Sequence, residues 1–228
     1  MRNKKMLIFS GIALTIAVIL IILVFCISPV KKISSYTKSD SSSSDSGLIK
    51  TLETIEFDKK SGDLNISFVL TEKDLNNILY EAIKNSIAVD GIETDIDENS
   101  IKLYINSHLL KIIPTQYMLE FTPSVEDNTL ILNLKDVKVG RIPIPKGLVL
   151  NGLKENASNY LSIDKSNNSI SINKNAVAPF KISGFNIQVD KLTLNLNYSI
   201  KSITDITNLF SHKMPEGVTN YVKKMFGN

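Results

Sequence analysis

Hydrophobic and polar positions along this chain fall into three regimes. From Met6 to Ser28, MLIFSGIALTIAVILIILVFCIS, 23 consecutive residues carry no charge. Ser34–Gly47, SSYTKSDSSSSDSG, then offers almost nothing that could pack. Beyond it the pattern becomes periodic. Leu64, Ile66 and Phe68 alternate with polar residues and predict a strand over Leu64–Leu70. Thr71-Glu72-Lys73-Asp74 has capping-box spacing, and the helix it opens carries Leu75, Ile78, Leu79, Ala82, Ile83 and Ile87 on one face.

A run of alternating segments follows. Ile101, Leu103 and Ile105 form the first, Tyr117, Leu119 and Phe121 the second, Leu130, Leu132 and Leu134 the third, with a turn at Glu126–Thr129. Such alternation is that of antiparallel strands with one dry and one wet face. Gly140-Arg141-Ile142-Pro143-Ile144-Pro145 ends this region, since two prolines cannot donate to a ladder. A second helix is predicted from Gly147 to about Leu161, with Val149, Leu150, Leu153, Ala157, Tyr160 and Leu161 as its stripe. Short strands at Ile170–Ile172 and Phe185–Val189 come next. The cleanest alternation of all is Leu192, Leu194, Leu196, Tyr198 and Ile200, and an amphipathic helix over Val218–Phe226 closes the chain.

The fold class expected is α+β: an N-terminal transmembrane helix, then a curved antiparallel sheet with two long helices packed on one face. Three regions are expected: 1–30, a cytoplasmic tail and transmembrane anchor; 31–47, a Ser-rich flexible linker; and 48–228, a single extracytoplasmic domain. At 1.5 Å per residue the uncharged run would make a helix of about 35 Å, against a hydrocarbon core of about 30 Å. It is too long for the apolar core of a cleaved signal peptide, and no A-x-A site closes it. Leu23-Val24-Phe25-Cys26 resembles a degraded lipobox, but bulky Phe25 stands where a small residue is needed.

Charge sharpens the picture. The 26 Lys and Arg exceed the 23 Asp and Glu by three, and that excess is Arg2, Lys4 and Lys5; the chain from Lys31 onward is neutral. A basic nucleic-acid-binding surface is therefore not expected. The same three cations favour a cytoplasmic N-terminus, with the domain outside a cell membrane crossed once; Lys31 and Lys32 on the far side weaken that bias and leave the inverted topology open.

Candidate chemistry is sparse. Cys26, the one cysteine, lies in the apolar run, so the folded part has neither a disulfide nor a thiol nucleophile. His108 and His212 have no partners at metal-ligand spacing. Asp95-Ile96-Asp97-Glu98-Asn99 opens like a calcium loop, but Ser100 and Asn106 occupy the positions that need Gly and Glu, so a solvated loop is expected. Nucleotide-loop and nucleophile-elbow motifs do not occur. The reading is non-enzymatic, with no cofactor and no metal.

Leu70-Thr71-Glu72-Lys73-Asp74-Leu75-Asn76 and Val139-Gly140-Arg141-Ile142-Pro143-Ile144-Pro145 resemble the YpmS-like family, single-pass envelope proteins of Gram-positive bacteria that are mostly uncharacterised. The resemblance covers about Leu64–Ile200 and the N-terminal run, and brings no catalytic residues with it. The layout is also similar to a tubular lipid-binding half-barrel, a fold-level analogy that implies an apolar groove. Leu79, Ile83, Leu132, Leu134, Leu150, Leu153, Leu194 and Leu196 are its candidate lining; the same residues also suit a plain core. The expected function is a membrane-anchored, extracytoplasmic, non-enzymatic domain binding lipid or another apolar envelope ligand. The alternative is a protein-interaction or assembly subunit in wall or spore-envelope biogenesis, and a membrane-associated hydrolase ranks third. The expected partners are the membrane, through an integral anchor, and a lipid or envelope protein, without nucleic acid.

Overall fold

The computed structural model describes residues 2–33, 52–83, 89–156, 161–172, 177–212, 214 and 216–226. Among the described residues, two antiparallel sheets and four short helices follow α1 (Arg2–Ile27). One sheet has four strands in the order β1 (Leu52–Asp58), β2 (Asp63–Thr71), β11 (Lys191–Ser199), β10 (Lys181–Gln188). The other has seven: β3 (Gly91–Ile96), β4 (Ile101–Leu109), β5 (Ile113–Glu126), β6 (Thr129–Val139), β9 (Ser169–Ile172) and β8 (Leu161–Asp164) in that order, with β7 (Ile142–Pro143) paired to the end of β6.

This corrects the single curved sheet. The two segments with the cleanest alternation, β2 and β11, pair with each other (Leu192 opposite Leu70, Leu196 opposite Ile66) and not with the strands between them. Alternation fixes which face of a strand is buried but not which strand lies beside it, so the partition was not readable from periodicity. The two-long-helix layer is corrected as well. Among the described residues α2 (Glu72–Ile83) and α3 (Lys146–Asn156) serve the seven-stranded sheet, and Leu161, expected at the end of the second helix, starts β8. The four-stranded sheet is covered by α4 (Ile203–Ser211) and α5 (Glu216–Phe226). A half-barrel wrapped around one long helix is thereby replaced by two sheets, each with a pair of helices packed on it.

The core divides in the same way. Leu64, Ile66, Ile182, Leu196, Leu209, Val218 and Val222 fill the first cluster, and Leu130 and Val125 at the far end of the β5–β6 hairpin join it to the larger sheet. Leu103, Ile105, Leu119, Phe121, Leu134, Val137 and Leu150 fill the second, with Leu79, Tyr80, Val149 and Leu153 packed against it from α2 and α3. A bulge between Glu120 and Phe121 pairs them with Asp136 and Leu134, leaving Lys135 unmatched. Parity in β6 changes there, from Leu130 and Leu134 to Val137.

Helix starts follow local rules. Thr71 and Asp74 form the expected box: the Asp74 N–H donates to Thr71 Oγ1 at 3.3 Å, and the Thr71 N–H to Asp74 Oδ2 at 2.9 Å. Ser202 and Asp205 repeat it at α4, which the periodicity reading omitted.

The transmembrane helix is corrected too: among the described residues no helix is long and apolar enough to cross a membrane. The backbone of α1 runs from Arg2, but its side chains are described from Gly11. Of the segment expected to be a linker, Lys31 and buried Ile33 pack on the domain; residues 34–47, together with Ile87, Ala157 and Tyr160, lie outside the described residues.

Candidate functional site

The most elaborate polar arrangement in the molecule surrounds the point where α1 ends. Ser28 closes the helix, donating from its N–H to Val24 O at 3.1 Å and from Oγ to the same oxygen at 2.6 Å. The next two carbonyls are taken by one residue of the β6–β7 turn. The Arg141 N–H donates to Cys26 O at 2.7 Å, Nη1 donates to Phe25 O at 2.8 Å, and the guanidinium lies 4.5 Å from the Phe25 ring centroid. A cation on the terminal carbonyls complements the negative end of the helix dipole.

This approach is close enough to require Gly140. Its φ is +57°, a conformation that favours glycine, and a Cβ there would overlap Cys26 O and the Ile27 backbone. The Gly140 N–H in turn donates to Gln116 O at 2.7 Å, which ties the turn to β5.

Gln116 holds the chain just after the helix. It is fully buried. Its Oε1 accepts from the Val30 and Lys31 N–H groups at 3.1 and 3.0 Å, while Nε2 donates to Lys31 O at 2.7 Å and to Asn106 Oδ1 at 2.9 Å. All four hydrogen-bonding positions of the amide are used, which satisfies the side chain without water.

Lys31 then reaches across β4 to β3. Its Nζ bonds Asp95 Oδ1 and lies 2.6 Å from Glu93 Oε1 and 4.9 Å from the Tyr104 ring centroid. Burial alone would lower the ammonium pKa, but the hydrogen bonds and charges of Asp95 and Glu93 outweigh it and hold it above the ordinary lysine value. Ile33 ends the docked segment in a buried position.

Of the acidic stretch, Asp95 and Ile96 end strand β3 and residues 97–99 form the exposed turn that leads to β4, as the solvated-loop reading expected there; several carboxylates on and beside the strand have specific partners. Glu93 and Asp95 take Lys31, Asp97 takes Lys102 at 2.7 Å, and Asp90 takes His108 Nδ1 at 2.7 Å. Lys102 holds the Asp97 carboxyl below its usual range. Among the described residues no group of three His, Cys, Asp or Glu could hold a metal ion. His212 closes α4, its Nδ1 2.8 Å from Asn208 O.

A cleft of about 390 Å³ opens beside this collar, lined by Val30, Lys31, Tyr104, Met118, Lys138, Gly140 and Arg141. Its cations are already engaged: Lys31 with two carboxylates, Lys138 with Asp136 at 2.8 Å, and Arg141 with Phe25. A second, smaller cavity of about 80 Å³ is lined by Asn128, Val177, Phe180 and Lys181.

Of the eight residues proposed as a groove, the seven whose side chains are described line neither of these spaces. Leu79, Leu134, Leu150 and Leu153 belong to the second cluster, Leu194 and Leu196 to the first, and Leu132 touches both. Ile83 lies in α2, and its side chain is outside the described residues. The fold thus divides the seven described ones between two cores. The residues that sequence reasoning missed are Gln116, Arg141 and Lys31. The available signal was the polar pair Thr115-Gln116 opening a strand, both now buried. No family model, curated protein or solved structure matches the chain.

Proposed function

We propose that this protein is a non-enzymatic domain held at a lipid membrane, with α1 in the apolar phase and the Gln116–Arg141 collar fixing the helix to the domain. One observation carries the reading. Eight consecutive residues of α1, 18–25, are apolar and each is at least 41 % exposed. At 100° per residue they cover every face of the helix, so no one-sided groove of a partner could shelter them all. Moving them from water to lipid is worth on the order of 10 kcal/mol. The collar supports the same reading, since its bonds immobilise the residues that follow the helix and transmit its orientation to the sheets. The resemblance to the YpmS-like family points in the same direction.

The chain contains no tryptophan, so Leu20→Trp installs a single reporter. In phosphatidylcholine vesicles its emission should shift to the blue and be quenched by lipids carrying a bromine or nitroxide in the acyl chain. Emission typical of water, unaffected by those lipids, would count against the proposal.

A further inference from the structure

The β4–β5 hairpin does not follow the turn chemistry used elsewhere in the domain. Non-glycine residues with positive φ occur at Asp127, Asn128, Asn168 and Asp190, the types that tolerate the left-handed region. The remaining two are Leu110 (φ 53°) and Lys111 (φ 66°). A leucine there adds steric cost without any local hydrogen bond in return. It is also 76 % exposed, as is Ile112, and Leu109 is 42 % exposed. The hairpin thus carries three adjoining apolar side chains into solvent around one lysine, at a position where Asn-Gly would turn the chain more cheaply.

Its place in the fold gives this a direction. The β5 residue that holds the segment after α1 is Gln116, and β6 ends opposite it at Val139 and Gly140. The β4–β5 turn continues past that level at the same end of the sheet, Ile112 lying four residues beyond Gln116, or about 14 Å at 3.4 Å per residue. The Asp127–Asn128 turn projects from the opposite end.

We infer that the tip Leu109–Ile112 is a second lipid contact, dipping into the bilayer surface beside α1 while Lys111 reaches the headgroup phosphates. The inference rests on the membrane reading above and deepens it by naming the surface of the domain that meets the lipid. The occupant is a bilayer because the tip lies at the end of the sheet where α1, apolar on every face over residues 18–25, joins the domain, and because an apolar tip flanking a cation suits an interface in which hydrocarbon lies beneath phosphate. Two contacts, a helix and a hairpin joined through the collar, would hold the sheets at one angle to the membrane, whereas one contact would leave them free to tilt.

The test uses the full chain in phosphatidylcholine–phosphatidylglycerol vesicles with one tryptophan at a time. Ile112→Trp is expected to shift to the blue and lose most of its emission to acyl-chain nitroxide lipids, whereas Glu126→Trp, exposed at the opposite end, keeps its emission. Leu109→Trp is a second reporter should Ile112→Trp alter the melting temperature. If the vesicle-bound protein shows Ile112→Trp and Leu109→Trp no more quenched than Glu126→Trp, the hairpin contact is overturned while the membrane reading stands. If the protein does not bind the vesicles at all, both fall.

Discussion

Gln116 grips Lys31 from both sides of a single residue: Nε2 donates to the Lys31 carbonyl at 2.7 Å, and Oε1 accepts from the Lys31 N–H at 3.0 Å. A side-chain amide here pairs with the main chain as a neighbouring strand would, so residues 30 and 31 dock without joining the sheet. Gln116→Leu removes all four bonds and leaves part-buried backbone groups of Val30 and Lys31 without these partners, which costs about 2–4 kcal/mol. Urea unfolding should show the midpoint falling, and hydrogen exchange at the Val30 and Lys31 amides should accelerate. Gln116→Glu should behave similarly at neutral pH, because a carboxylate cannot donate to Lys31 O or Asn106 Oδ1.

Gly140→Ala tests the other half of the collar. An added Cβ overlaps Cys26 O at a φ of +57°, so either α1 moves or the turn opens. The backbone preference alone is worth about 1 kcal/mol. Exchange at the Arg141 amide, which bonds Cys26 O, should quicken more than exchange in the distant β2–β11 ladder. Equal change in both would mean general destabilisation and would contradict a local role.

Lys31 gives the collar a pH dependence at the alkaline end. Its folded pKa is raised by Asp95 and Glu93, so its contribution is complete below the ordinary lysine value and disappears as pH rises through the higher folded one. Lys31→Met should remove that alkaline step. The measurement is the susceptibility of residues 28–33 to proteolysis near neutrality and above pH 10.5, the ordinary lysine value; a step that survives in Lys31→Met would exclude this lysine as its source.

Asp205 sets an acidic counterpart at α4. Backbone donation from Lys201 and a side-chain bond from Ser202 hold its carboxyl below the usual range. The cap therefore contributes above the ordinary aspartate pKa and is lost as pH falls through the lower folded value. Asp205→Asn should flatten the acid limb of the melting-temperature profile, and an unchanged limb would place that dependence elsewhere.

What could be read from the chain was local. Thr71 and Asp74 announced a helix because a capping box is complete within four residues. Ser202 and Asp205 carried the same signal at α4, where it went unread for want of a long apolar stripe. Strand β1 was equally readable in Ile55 and Phe57 alternating with Glu56 and Asp58. Non-local features were not legible. The pairing of β2 with β11 joins residues more than a hundred positions apart, and the bulge at Lys135 changes which side of β6 faces the core. Both follow from tertiary fit. The collar is the clearest case: Gly140 and Arg141 stood out as a turn beside two prolines, but their contact with Phe25 and Cys26 depends on where β5 and β6 end. The proposed groove residues illustrate the same limit, because periodicity reported that those side chains are covered without reporting that the described ones are divided between two core clusters.

The most direct test of the membrane reading is flotation of the full chain through a sucrose gradient with phosphatidylcholine vesicles in high salt. Apolar seating of α1 predicts that the protein rises with the vesicles and that salt does not release it, since electrostatic attraction is screened under those conditions. Protein that remains at the bottom of the gradient as a folded monomer, with or without salt, would contradict the account.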